Sequence, residues 1–144
     1  MTEIEKAKHY LYKLLAMKSW HSVELQKKLK KYELSSEEIS NLIEEVEKLG
    51  YINDDEWLAS FIRGQTAKKI SPRMITCKLR QRGVSFDPEL VKGTMESESL
   101  QISALLKTKY KNRDLKDYKE SRKVYASLAR KGFSHQAILS EIKK

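Results

Sequence analysis

Apolar residues recur along this chain at intervals of three and four, the signature of helices that bury one face. Three leucines anchor the pattern. Leu29 opens "LKKYELS", Leu79 opens "LRQRGVS" and Leu128 opens "LARKGFS", spaced 50 and 49 residues apart. Leu25, Ile75 and Val124 stand four residues upstream and put an apolar pair on each helix. A helix before each of these carries Tyr10, Leu11, Leu14 and Leu15, then Trp57, Leu58, Phe61 and Ile62, then Ile102, Leu105 and Leu106. A third helix follows each, marked by Ile39, Leu42, Ile43 and Val46, by Leu90 and Val91, and by Ile138, Leu139 and Ile142.

Start and stop signals agree with this division. Ser22 and Ser121 stand seven residues before their anchor leucine as helix starts, and Ser71 stands eight before with Pro72 behind it, a cap and first-turn pair. Gly83 and Gly132 occupy the position after the helix, where a left-handed backbone suits glycine; Glu33 stands there in the first copy. Ser35 with Glu38 forms a capping box, Asp87 with Pro88 opens the second copy's third helix, and Ser134 opens the last. Gly50 can end a helix, and Asn53 or Asp54 can cap the next.

The prediction is an all-α protein of three tandem three-helix repeats, residues 1–53, 54–97 and 98–144, with the second boundary near Ser97 in "MESESL". A polar insertion, residues 108–121, extends or interrupts the third repeat between its first and second helices. Each small repeat leaves an apolar face for a neighbour to cover, so an elongated, curved array is expected.

Composition supports helix, with 40% hydrophobic residues, 34% charged, five Gly and two Pro in 144 residues. No apolar run approaches the roughly 20 residues that span a bilayer, and "MTEIEKAKHY" has no apolar signal core. A cytoplasmic monomer with no membrane contact is expected. One cysteine, Cys77, leaves no disulfide framework and should be a partly buried thiol; His9, His21 and His135 make no metal-ligand spacing. No phosphate loop, metalloprotease or nucleophile-elbow sequence occurs. Neither catalysis nor a cofactor or metal is predicted.

Charge changes the picture more. The net value is +9, made of 0, +2 and +7 over the three repeats in order, and such a gradient points to an acidic partner. The helix dipole alone accounts for Lys30, Lys31, Arg80, Arg82, Arg130 and Lys131 in last turns. It does not account for Arg63, Lys68, Lys69 and Arg73, nor for Lys107, Lys109, Lys111, Arg113, Lys116, Lys119, Arg122 and Lys123. Such density reads as a stripe for phosphates or acidic side chains. The candidate contacts are Arg63, Lys68, Lys69, Arg73, Lys78, Arg80, Arg82, Lys107, Lys109, Lys111, Arg113, Arg122, Lys123, Arg130 and Lys131, with Tyr110 and Tyr118 as candidate base-stacking residues. Trp57 is expected in the core and Trp20 packed over the turn before the second helix. A helix-turn-helix reader of a DNA groove is disfavoured, because "SSEEISNLIEEVEK" is acidic and "DPELVKGTMES" is not basic.

"HSVELQKKLKK", "LGYINDDEWLASFIR", "SPRMITCKLRQRGVS" and "VYASLARKGFSHQAI" together resemble the RecX family of recombinase regulators over nearly the whole chain. The most specific part is the middle, where Asp54, Asp55, Trp57, Phe61 and Arg63 precede Pro72, Arg73, Leu79, Arg82 and Gly83. The resemblance implies a non-enzymatic regulator that binds the RecA filament on single-stranded DNA, lies in its groove and inhibits strand exchange and ATP hydrolysis, modulating recombination and repair. The competing expectation is a stand-alone, nonspecific nucleic-acid-binding repeat protein.

Overall fold

The computed structural model describes residues 1–92 and 98–144. Among the described residues there are helices and no strands, in the order α1 (Glu3–Met17), α2 (Ser22–Leu29), α3 (Ser36–Lys48), α4 (Asp54–Ala67), α5 (Pro72–Gln81), α6 (Pro88–Lys92), α7 (Glu98–Lys107), α8 (Tyr118–Arg130) and α9 (His135–Ile142). The boundary expected near Ser97 lies outside the described residues. By packing, the chain forms two compact units: Met1–Phe61 with Gln81–Val84, and Ile62–Arg80 with Ser85–Lys144.

The first unit is built on the apolar faces of α1, α2 and α3. Ala7, Leu11 and Leu14 meet Leu25, Leu29, Ile39, Leu42, Ile43 and Val46, with Trp20 and Ile52 closing the cluster. Leu25 and Leu29 are fully buried, worth about 1.5–3 kcal/mol each relative to exposure. Trp20 packs over the turn as expected, its indole N–H donating to the Leu14 carbonyl at 2.8 Å. Ser35 and Glu38 form the capping box of α3, and Asn53 caps α4 through the Glu56 amide at 3.1 Å.

The cap of α2 differs from the sequence expectation. His21, not Ser22, is the N-cap, its Nδ1 accepting from the Val23 amide at 3.1 Å. The cause is Asp54, whose carboxylate takes both Ser22 donors, the amide at 2.8 Å and the hydroxyl at 2.5 Å, and so holds Ser22 inside the helix. The turn after α5 joins the same unit. Lys27 donates to the Arg82 carbonyl at 2.8 Å, and Arg82 pairs with Glu24 at 3.1 Å.

In the second unit Ile102, Leu105, Tyr110, Val124, Leu128, Phe133 and Ile138 form the core shared by α7, α8 and α9. Ser71 caps α5 through the Met74 amide, and Ser71 is itself fully buried because its amide and hydroxyl are satisfied by the Lys131 and Gly132 carbonyls at 2.9 and 2.8 Å. Helix α8 begins earlier than Ser121 suggests. Asp117 is its cap, accepting from the Lys119 amide at 2.9 Å, and a carboxylate suits the positive end of a helix better than a hydroxyl four residues inside it. The insertion therefore contributes a turn through residue 117 and the first turn of α8.

Cys77 is exposed rather than partly buried. Ile75 and Leu79 both point inward from α5; a residue two from each is rotated about 200° from them and faces outward. Tyr110 is also displaced from its expected place. It is 7% exposed, packed in the core with its hydroxyl on Ser127.

Candidate nucleic-acid interface

Charge separates sharply between the two units. The first holds ten Lys and Arg against twelve Asp and Glu, a net −2; the second holds nineteen against eight, a net +11. From Trp57 to Phe86 the chain has seven Lys and Arg and no Asp or Glu at all. The excess of cations over the whole chain thus belongs to the second unit.

The structure sorts the candidate contacts into two sets. Several are held by internal partners. Arg73 donates to the Gly132 carbonyl at 3.0 Å and pairs with Glu98 at 3.2 Å, Lys78 donates to Gln65 at 2.7 Å, and Lys131 donates to the Lys68 carbonyl at 2.9 Å. Arg82, besides its Glu24 pair, lies 5.2 Å from the Phe61 ring centre and 5.9 Å from that of Trp57. Arg113 and Lys123 both reach Glu120, at 2.8 and 3.9 Å. These six side chains fasten helices and turns as well as carrying charge.

The other set is exposed and unpaired among the described residues: Arg63, Lys68, Lys69, Arg80, Lys107, Lys111 and Arg130. Among the described residues no carboxylate pairs with their charge. Lys109 is exposed as well, and stands beside Lys131, whose ammonium is held below the usual lysine range first by burial and then by the Lys109 charge.

Lys69 has a strained backbone. It ends α4 in the left-handed region, φ 62°, and is the one such non-glycine residue among those described. Its amide binds the Thr66 carbonyl at 2.9 Å and the Ile70 amide binds the Gln65 carbonyl at 3.1 Å, a helix ending for which glycine is the usual choice. Left-handed backbone in an L residue costs about 1–2 kcal/mol, and strain of this kind concentrates at functional positions.

Of the two candidate stacking tyrosines, Tyr118 alone remains available. It is 73% exposed in the first turn of α8, with the Arg122 guanidinium 5.5 Å from its ring centre. Trp57, expected in the core, is only half-buried, stacked on Phe61 at 5.2 Å and met edge-on by His21. Helix α3 carries Glu37, Glu38, Glu44, Glu45 and Glu47, and α6 is five residues long, so neither helix has the chemistry of a groove reader. Among the described residues no group of His, Cys, Asp and Glu is arranged to hold a metal ion, and no helix is long and apolar enough to cross a membrane.

The helix order and the recurring serine, leucine and glycine positions define a protein of tandem three-helix repeats. Comparison with known proteins gives the family. The model described as "RecX, third three-helix domain" matches residues 101–140. The regulatory protein RecX of Pelodictyon phaeoclathratiforme is 31% identical over 137 residues, covering 93% of this chain and 85% of that protein. The regulatory protein RecX of Legionella pneumophila is 27% identical over 136 residues, covering 92% and 89%. The crystal structure of RecX from Lactobacillus salivarius superposes with a TM-score of 0.63 over 98% of this chain and 95% of that one, at 23% identity. The chain belongs to the RecX family of regulatory proteins.

Proposed function

We propose that this protein is a non-enzymatic, cytoplasmic regulator that binds the RecA filament on single-stranded DNA and lowers its strand-exchange and ATPase activity. The observation that carries the reading is the charge split, −2 against +11, with unpaired cations in the second unit. A polyanion such as a filament's DNA is attracted by counterion release from phosphates, and a second surface of different character is left to meet protein. Arg63, Lys68, Lys69 and Arg80, all in the acid-free segment, and Lys107, Lys111 and Arg130 are the phosphate contacts; Tyr118 offers a face to an unstacked base. The division into three repeats at residues 53 and 97, and a monomeric state, belong to the same proposal.

The test is a quadruple variant, Arg63→Gln, Lys68→Gln, Lys69→Gln and Arg80→Gln, which spares Arg73 because Arg73 holds the Gly132 carbonyl. Binding to single-stranded oligonucleotide across a salt series should weaken and lose slope by up to about 3, at roughly 0.7 per lost phosphate contact. Inhibition of the recombinase should fall with it. An unchanged slope and unchanged inhibition would contradict the interface. Tight DNA binding by the wild type with no effect on recombinase would favour a stand-alone nucleic-acid binder.

A further inference from the structure

The first unit contains a cleft lined largely by aromatic side chains. It has a volume of about 390 Å³ and is walled by Trp20, Tyr51, Trp57 and Phe61, with Asn53 and Glu56 also lining it. That is within the lower range of ligand-sized sites. Its walls are fixed. Trp20 is tied to the Leu14 carbonyl, Trp57 and Phe61 stack nearly parallel at 8°, Tyr51 meets Tyr12 edge-on at 5.8 Å, and Asn53 is committed to capping α4.

Glu56 is the one carboxylate in the lining, and no lining residue is Lys, Arg or His. It is exposed and has no ion-pair partner among the described residues. Aromatic faces attract cations through their quadrupole, most strongly for tryptophan. These same rings already do so within the protein: the Lys18 ammonium lies 4.1 Å from the Trp20 ring centre, and Arg82 lies over Phe61 and Trp57. Four aromatic walls and an uncommitted carboxylate together define a receptor for a positively charged side chain. A nucleobase would stack as well on such walls, but it arrives with a phosphate that Glu56 and the neighbouring Asp55 repel, in a unit of net negative charge.

We propose that this aromatic cleft, with Glu56, binds an arginine or lysine side chain presented by a partner protein, and so forms a protein-docking site distinct in chemistry from the basic surface of the second unit. The identity of that partner as the recombinase rests on the function proposed above; the chemistry of the cleft does not.

The experiment has two arms. In the first, the indole N–H resonances of Trp20 and Trp57 are followed by NMR while N-acetyl-arginine methylamide is added to the whole protein, with N-acetyl-citrulline methylamide as the uncharged isostere. Saturable shifts with the arginine probe, absent with citrulline and weakened roughly fivefold in Glu56→Gln, are expected. No shifts, or equal shifts with both probes, would overturn the cleft. In the second, wild type and Glu56→Gln are compared for binding to the recombinase filament and to bare single-stranded DNA. Filament affinity should drop several-fold with DNA affinity unchanged; equal filament affinity would overturn the assignment of the recombinase as occupant. A wild type that ignores the filament overturns that assignment along with the proposed function, and the arginine titration then decides the cleft by itself.

Discussion

Gly132 and Ser71, 61 residues apart, are in contact through a hydrogen bond from the serine hydroxyl to the glycine carbonyl at 2.8 Å. The glycine ends α8 and the serine starts α5, so the start of one repeat's second helix sits on the turn that closes the next repeat's second helix. The same relation recurs one repeat earlier, where Gly83 after α5 faces Val23 and Lys27 of α2. This explains why the "LxxxG" ending recurs. The glycine admits the left-handed turn, φ 92° at Gly132 and 77° at Gly83, and removes the Cβ that would meet the preceding repeat.

The two glycines should not be equally sensitive. At Gly132 an added Cβ would fall at 2.5 Å from Ser71 Oγ and closer still to Met74 Cβ, whereas at Gly83 its nearest neighbour is the flexible end of Lys27 at 3.3 Å, and at Gly50 there is open space. Thermal or urea unfolding of Gly50→Ala and Gly83→Ala should show losses of about 1–2 kcal/mol each, the left-handed backbone term. Gly132→Ala should lose more, by a further ~1–3 kcal/mol for overpacking. Equal losses at all three would mean that the contact with Ser71 and Met74 does not constrain the turn.

Lys69 offers a separation of stability from function. Lys69→Gly relieves left-handed strain and, because glycine also loosens the unfolded chain, should stabilise by a net of about 1 kcal/mol or less. The same change removes an unpaired cation from the acid-free segment and should weaken oligonucleotide binding. A variant more stable and weaker in binding supports a functional reason for lysine at this turn; one with unaltered binding assigns the strain no role in DNA contact.

A pH test is available at Glu120. Its carboxyl is held below its ordinary value of 4.5 first by the hydrogen bond from Arg113 and further by the charges of Arg113 and Lys123, against opposing desolvation and Asp114. A folded-state value below the unfolded one means that the contribution to stability is present above about pH 4.5 and is lost as pH falls through the lower, folded value. A ¹³C carboxyl titration should place Glu120 below 4.5 in the wild type and return it toward 4.5 in Arg113→Ala. The contribution is small because the group is only partly buried and its charge pairs are screened by solvent. No change on removing Arg113 would show that the pair does not persist in solution.

Helical periodicity made most of the fold legible: Leu25 with Leu29, Ile75 with Leu79 and Val124 with Leu128 are all buried pairs, as their spacing requires. The caps at Ser35, Ser71 and Ser134 were equally readable, because each depends on a residue and the backbone a few positions ahead. His21 was not, since what displaces the cap from Ser22 is Asp54, 32 residues away. Tyr110 is hidden for the same reason: a tyrosine amid lysines looks like a surface residue until Ser127, 17 residues on, shares a hydrogen bond with its hydroxyl. The candidate interface was legible as composition and not as geometry. Sequence spacing could not tell Arg73, committed to Gly132, from Arg63, unpaired among the described residues. The acid-free run from Trp57 to Phe86 was a signal in plain view that periodicity alone does not weigh. Glu56 and the aromatic cleft required the turn after α3 to bring Tyr51 near Trp57.

The central claim is that this chain restrains a recombinase filament, and ATP hydrolysis by the host RecA on single-stranded DNA reads it most directly. With the protein titrated to saturation, hydrolysis should fall in a dose-dependent way, and the quadruple Arg63, Lys68, Lys69 and Arg80 variant should require a markedly higher concentration for the same effect. Hydrolysis that stays at its starting rate with wild-type protein in excess would contradict the account.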